Sequence, residues 1–281
     1  MSKKFFILCQ YLLPQMLLTR FAGWMASLTC PRIKNWLIKD FVKRYQVDLK
    51  SAVNEKIEDY VCFNDFFTRA LKPTARPICS DLASLVSPID GCISQIGYIE
   101  KNTLLQAKGV DYTLESLLGN DSALATEFFQ GAFATFYLSP KDYHRVHLPF
   151  AGKLLRTIYI PGKLFSVNPL AVSKIPQLFA RNERLVCIFE THLGPMAVIF
   201  IGAMLVGKIQ TVWGLVERSA SIITRRYFDQ ESIHFNKGDE LGRFLLGSSI
   251  ILLLPRDKIH WLSHLKEQSS VKMGEKIGDI S

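Results

Sequence analysis

What is missing narrows the reading first. No uninterrupted apolar stretch at the front of the chain approaches the roughly 20 residues that cross a bilayer as a helix. The six cysteines, Cys9, Cys30, Cys62, Cys79, Cys92 and Cys187, form no Cys-x-x-Cys pair. Their spacing suggests neither a zinc site nor a disulfide framework, and a reducing, cytoplasmic-side location is the simpler reading. There is no internal repeat, no low-complexity segment and no Gly-x-Ser-x-Gly elbow, so the usual context of an α/β hydrolase serine is absent. Acidic residues are scarce in the first 50 positions, which hold nine Lys/Arg and two Asp/Glu.

What is present is an apolar, basic chain of 281 residues with 48% hydrophobic residues and a formal net charge of +9. That length allows one or two domains with a large core. Most of the positive charge lies in residues 1–50, beside Leu, Phe and Trp. This combination suits an anionic membrane surface better than nucleic acid, for which no docking module is evident. Residues 3–28 imitate a signal peptide, with Lys3 and Lys4 ahead of Phe5 to Leu13. Gln10, Pro14, Gln15 and Arg20 interrupt the apolar run, and no small-x-small cleavage site follows. The segment is expected to form helices lying in the interface, with Trp24, Trp36 and the basic residues at headgroup depth. The alternative is an amphipathic helix packed on the protein's own core.

Residues 31–50 continue as an amphipathic helix, with Ile33, Trp36, Leu37, Phe41 and Tyr45 at helical spacing and Pro31 in the first turn. A short helix over 63–71 is expected to be capped by Asn64. Lys72-Pro73-Thr74-Ala75-Arg76-Pro77 reads as a linker. From about residue 84 the pattern becomes strand-like. Two short strands flank Pro88-Ile89-Asp90-Gly91, an ordinary turn signal. A helix starts at Thr113 and stops at Gly119. Strands are expected over 131–138, 151–160, 208–216 and 221–227, with a hairpin of 184–191 and 195–206 about Leu193-Gly194. Phe244 to Leu254 reads as a small-residue turn, Gly247-Ser248-Ser249, leading into a buried strand.

Three residues at element ends have complementary chemistry. A carboxylate that orients a histidine lets the ring take a serine's proton, and Asp90, His147 and Ser248 supply those groups. Each also has an ordinary reading: a turn aspartate, a hydrogen-bonded histidine, a turn serine. His144 and His147, three apart beside Pro149, could be metal ligands, but no third or fourth ligand is placed to complete a site, so no metal is expected.

Several long motifs occur together and in order: Ser87-Pro88-Ile89-Asp90-Gly91, Gln106-Ala107-Lys108-Gly109, Tyr137 through His147, Pro161 through Asn168, Phe179 through Arg184, and Gly242-Arg243-Phe244 with Gly247-Ser248-Ser249. In these the chain resembles the phosphatidylserine decarboxylases of bacterial and mitochondrial type. The resemblance covers nearly the whole chain, with Ser249 where the family's bacterial motif usually has Thr. It implies a proenzyme that cuts itself between Gly247 and Ser248. Ser248 would attack the Gly247 carbonyl, with His147 as base and Asp90 orienting it, to leave a chain of 1–247 (β) and a chain of 248–281 (α). Ser248 would become a pyruvoyl group, a covalent pyruvate cofactor that makes pyridoxal phosphate unnecessary. It would hold the substrate's amine as a Schiff base and serve as electron sink, with His144 as proton donor. Phosphatidylserine would become phosphatidylethanolamine.

The expectation is therefore an α+β protein. A helical membrane-association region over 1–78 precedes a largely antiparallel β catalytic domain over 79–281, because strands without regular βα alternation argue against a doubly wound sheet. Expected partners are phosphatidylserine, the membrane surface and the two cleavage products, held together as a heterodimer. A homodimer is compatible with the chain but does not follow from it. The expected location is peripheral, on the cytoplasmic side of the cell membrane. Two rival readings are a Ser-His-Asp hydrolase or autoprotease that keeps an intact chain, and a non-catalytic membrane-surface binding protein.

Overall fold

Pro14 sets the geometry of the front of the chain. The residue before a proline is disfavoured in helical conformation. The computed structural model, which describes residues 3–107, 109–204, 209–216, 221–228, 231–245 and 248–281, accordingly has α1 (Lys3–Leu12) end just before it and α2 (Gln15–Ala26) begin just after it. The two helices bend by 91° at this break. Among the described residues no single helix is long and apolar enough to cross a membrane. Leu8, Leu12, Leu17, Phe21 and Trp24 are exposed on these helices, so most of their apolar face is not packed on the protein's own core. Pro31 occupies the first turn of α3 (Pro31–Tyr45), and Gln46 closes it in the left-handed conformation, its N–H donating to the Val42 carbonyl.

A small core joins α3 to α4 (Phe63–Phe67): Ala26, Ile38, Tyr60, Phe63, Phe66 and Phe67 are buried together. The expected Asn64 cap is not formed. Cys62 holds the N-cap position without a side-chain bond. Asn64 instead donates from Nδ2 to Ser27 Oγ at 3.0 Å, and the Asp65 carboxylate accepts from Val61 N–H at 3.0 Å. The helix also stops at Phe67, short of residue 71.

The rest of the described chain is mostly antiparallel sheet. The strand Ser248–Leu254 lies at the centre of the largest sheet, between Ala132–Leu138 and Gly194–Ile201. Ile250 through Leu254 are all fully buried, which is why this strand reads as a continuous apolar run rather than as an alternation. Gly91–Tyr98 and Ser270–Val271 extend the sheet beyond Ala132–Leu138. Arg184–Thr191, Gly152–Ile160 and Thr224–Tyr227 extend it on the other side. Smaller sheets pair Glu240–Phe244 with Arg145–His147 and Ile209–Thr211, and Lys276–Ile280 with Ser84–Val86 and Ile259–Trp261. The short helix Leu114–Leu117 starts as expected, Thr113 accepting from Ser116 N–H.

Two expected strands differ. Residues 208–216 do not form one strand: Ile209–Thr211 and Gly214–Leu215 pair as a hairpin, with Gly214 at φ +128°, a region that favours glycine. The second arm of the 184–206 hairpin ends at Ile201, and residues 205–208 lie outside the described residues.

The burial of the central strand sets a stability expectation. Leu252→Ala removes a fully enclosed side chain and should cost about 2–5 kcal/mol, read as a lower urea midpoint at unchanged slope. A loss below about 1 kcal/mol would show that the strand is not enclosed as described.

Candidate active site

Strand register brings the sequence-predicted residues to one end of the main sheet. Ser248 pairs with Leu138, and Leu138 runs directly into the segment that carries both histidines. The backbone of Ser248 is described, whereas its side chain and Gly247 lie outside the described residues. Gly91 must be glycine here, because a Cβ would stand 2.3 Å from the Tyr137 carbonyl oxygen. This close approach sets Asp90 against the same end.

The turn after Leu138 is held by one carboxylate. Ser139 donates from both N–H and Oγ to Asp142 Oδ2, at 2.7 Å each. The Asp142 carbonyl then accepts from His144 Nδ1 at 2.8 Å. This bond places the His144 proton on Nδ1 and leaves Nε2 as the lone-pair nitrogen. Nε2 is buried and has no hydrogen-bond partner. The ring is fully buried against Phe67, with centroids 4.0 Å apart. Burial disfavours the charged ring and pushes its pKa down to about 3. His144 is therefore a neutral base with an unsatisfied acceptor.

His147 is fully partnered. Its Nδ1–H donates to the Gly238 carbonyl at 2.8 Å, and Nε2 accepts from the Tyr143 hydroxyl at 3.0 Å. Its backbone N–H donates to the Pro88 carbonyl at 2.9 Å, tying it to the segment of Asp90. Desolvation lowers its pKa, while the Gly238 hydrogen bond and then Glu240 and Asp90 oppose that shift.

Asp90 does not hydrogen-bond the His147 ring. Arg76 Nε donates to both of its carboxylate oxygens, at 2.8 and 2.9 Å, and Arg76 Nη2 also donates to Oδ2. Met273 N–H adds a bond of 2.9 Å to Oδ1. The ring-orienting contact expected of Asp90 is thus made by the Gly238 carbonyl, because the carboxylate is already committed to a guanidinium. The pair is only part-buried on the Arg76 side, so removing one partner costs less than for a fully enclosed pair.

Arg76, Tyr143, Gly238 and Phe67 are the site residues that sequence reasoning missed. Arg76 stands in a proline-flanked stretch that reads as a linker, and a backbone carbonyl such as that of Gly238 leaves no mark in sequence. Tyr143 did have a signal, four residues before His147 inside a matching motif. Beside these groups opens a cavity of about 300 Å³, lined by Arg69, Arg76, Asp90, Asp142, Tyr143 and Lys272 among others. Arg69 bonds the Lys141 carbonyl at 2.9 Å and so braces the histidine-bearing segment. Among the described residues no group of three or more His, Cys, Asp or Glu side chains is arranged to hold a metal ion.

Comparison with known proteins covers nearly the whole chain. Residues 63–279 match the family described as phosphatidylserine decarboxylase, and residues 5–46 match the one described as PSD. The chain belongs to the phosphatidylserine decarboxylase family. It is 48% identical over 285 residues to the phosphatidylserine decarboxylase proenzyme of Azotobacter vinelandii, covering 100% of both chains. It is 50% identical over 278 residues to that of Alcanivorax borkumensis, covering 98% of this chain and 96% of the relative. Against that of Hahella chejuensis the identity is 47% over 278 residues, covering 99% and 94%. Membership of the decarboxylase family thus spans both the helical front and the sheet.

The state of His144 gives a pH expectation. In the unfolded chain the ring takes up a proton as pH falls through about 6.5, whereas the folded ring stays neutral until about pH 3. The stability gained from the neutral ring is complete above pH 6.5 and is lost progressively as pH drops towards 3, at about 1.4 kcal/mol per pH unit. Between about pH 7 and about pH 5, urea unfolding of the wild-type chain should therefore lose about 2 kcal/mol more than that of His144→Leu. Equal losses would show that His144 is not buried as a neutral ring.

Proposed function

We propose that the chain is a self-processing decarboxylase that converts phosphatidylserine to phosphatidylethanolamine at a membrane surface. The observation that carries this reading is the register of Ser248 with Leu138, which sets the serine of the family motif at the mouth of the segment holding His144 and His147. Self-cleavage at Gly247–Ser248 is the first event. The Ser248 hydroxyl attacks the Gly247 carbonyl, and His147 accepts the hydroxyl proton. The positive charge this puts on His147 is favoured by the Gly238 carbonyl, then by Glu240 and, least, by Asp90, and is opposed by Arg145. His147 must first give up the Tyr143 hydroxyl that its Nε2 now accepts from. The products, 1–247 and 248–281, remain together as a heterodimer because the shorter chain begins with the central strand.

The pyruvoyl group formed from Ser248 would supply a carbonyl electron sink for loss of carbon dioxide. The surroundings suit such a group: His144 Nε2 is buried without a partner, as are Nε and Nη1 of Arg69, which lines the adjoining cavity. In its neutral state His144 must take up a proton before it can deliver one. The proton that decarboxylation consumes overall comes from solvent, because an ammonium is too weak an acid to charge a ring of such low proton affinity. The low proton affinity of the enclosed ring then makes the protonated form a strong acid towards the substrate carbon. Peripheral association on the cytoplasmic side is supported by the basic front of the chain and by the exposed Leu12, Leu17, Phe21, Trp24 and Trp36. A homodimer remains compatible with this arrangement.

Intact-mass measurement of the denatured protein tests the processing step. Two chains, with 248–281 lighter than plain hydrolysis would leave it by one ammonia, are expected. Ser248→Ala should give a single inactive chain, and His144→Ala should process yet turn over at least about 100-fold more slowly. A cleaved, active Ser248→Ala protein would overturn the assignment. Deleting residues 1–30 should weaken sedimentation with anionic liposomes about tenfold or more, and unaltered sedimentation would remove the surface role of α1 and α2.

A further inference from the structure

The bend between α1 and α2 is fastened to the body of the protein by polar side chains. Gln10 Oε1 accepts from Ser166 N–H and Gln15 Oε1 from Leu164 N–H, each at 2.8 Å. Gln15 Nε2 closes the bend by donating to the Gln10 carbonyl at 2.5 Å. Gln10 is 3% exposed although it sits on an otherwise outward helix. Between the bend and the 162–166 loop lies a cleft of about 390 Å³, lined by Tyr11, Pro14, Leu17, Lys163, Phe165 and Arg181 among others. That volume lies within the range of small-ligand sites, roughly 300–1,000 Å³.

The cleft has two chemically distinct ends. Lys163 and Arg181 supply two positive charges, and among the described residues neither pairs with a carboxylate. The Arg181 guanidinium is held in place by stacking, 4.8 Å from the Phe165 ring centroid and 5.8 Å from that of Tyr11, with Nη1 donating to the Pro176 carbonyl at 3.3 Å. From these cations the wall leads to Leu13 and Leu17, which belong to the exposed apolar face. The cleft is also linked to the active end of the sheet. Asn182 holds Phe165 through both backbone groups, at 3.0 and 2.9 Å, and donates to the Gly202 carbonyl at 2.8 Å. Gly202 follows Ile201, the register partner of Ser249.

We infer that this cleft is a glycerophosphodiester site. Lys163 and Arg181 hold the phosphate of a diacyl phospholipid, and the exposed edge of α1 and α2 receives its acyl chains. Two unpaired cations complement a phosphodiester, and an apolar rim that opens outward complements a molecule whose tails stay in a bilayer. The occupant is the substrate's own lipid class, so the inference rests on the decarboxylase reading. It adds that the helical front forms half of a headgroup site besides meeting the membrane.

Calorimetric titration of the full chain with dihexanoyl phosphatidylglycerol tests it, since this soluble phosphodiester has no amine to react. Lys163→Gln combined with Arg181→Gln should weaken binding at least about tenfold and leave binding of dihexanoylglycerol, which lacks phosphate, within about twofold of wild type. Lys163→Gln alone, at an exposed position, should keep the wild-type melting temperature and still weaken lipid binding several-fold. Unchanged lipid affinity in both variants would overturn the inference. So would an equal loss for the phosphate-free lipid, which would give the cations a structural role. Inorganic phosphate binding as tightly as the lipid would replace it with a plain anion site. Because these readouts need no turnover, a processed, active enzyme with unchanged lipid affinity would refute this site alone. An inactive chain that still shows the charge-dependent binding would refute the decarboxylase reading alone.

Discussion

Enclosure of one strand underlies the whole arrangement. Ser248–Leu254 has ladder partners on both edges and buried side chains on both faces. From Ser249 to Leu253 the strand has register partners on both edges, which limits the penalty of taking its backbone out of water. Its register fixes Ser248 against Leu138, and with it the distance along the chain to both histidines. A one-residue slip would turn Ser248 to the opposite face and break the apolar run on both sides. The position of the serine is therefore a by-product of core packing and needs no separate device to hold it.

Desolvation then separates two histidines of the same segment. Both lose proton affinity on burial, but His147 keeps two partners and two opposing carboxylates, while His144 keeps one partner and an aromatic face. Burial therefore opposes charge on both rings, and the nearby carboxylates moderate that effect at His147. Two identical side chains three residues apart thus sit in different surroundings, one with both ring nitrogens bonded and one with Nε2 left without a partner. Arg76 neutralises the Asp90 carboxylate, which would otherwise keep only the Met273 N–H.

Elements whose signal is local were legible in sequence. The central strand, the 184–201 hairpin and the Thr113 cap follow from apolar runs, a Leu-Gly turn and a hydroxyl at a helix start. The two histidines and the serine could be nominated because their motifs are contiguous. What sequence does not encode locally is the choice of partner. Asp90 is as well suited to a histidine as to an arginine, and only the fold brings Arg76 to it from 14 residues away. Asn64 has the chemistry of a cap, yet the packing of Phe63, Phe66 and Phe67 sets the start of its helix, so it bonds Ser27 instead. The hairpin at 209–215 carries one weak sign, Gly214, in a stretch otherwise typical of a single strand.

The attachment of the helical front has a consequence for how the protein responds to salt. The bend at Leu13–Pro14 is held by neutral amide hydrogen bonds from Gln10 and Gln15, which ionic strength barely alters. Attraction of the basic face to an anionic surface is by contrast a screened interaction that fades within about a nanometre at physiological salt. Orientation and adhesion are thereby decoupled. Under the proposed surface role, raising the salt concentration would weaken adhesion while leaving the bend as it is, so a released molecule would keep the shape of the bound one.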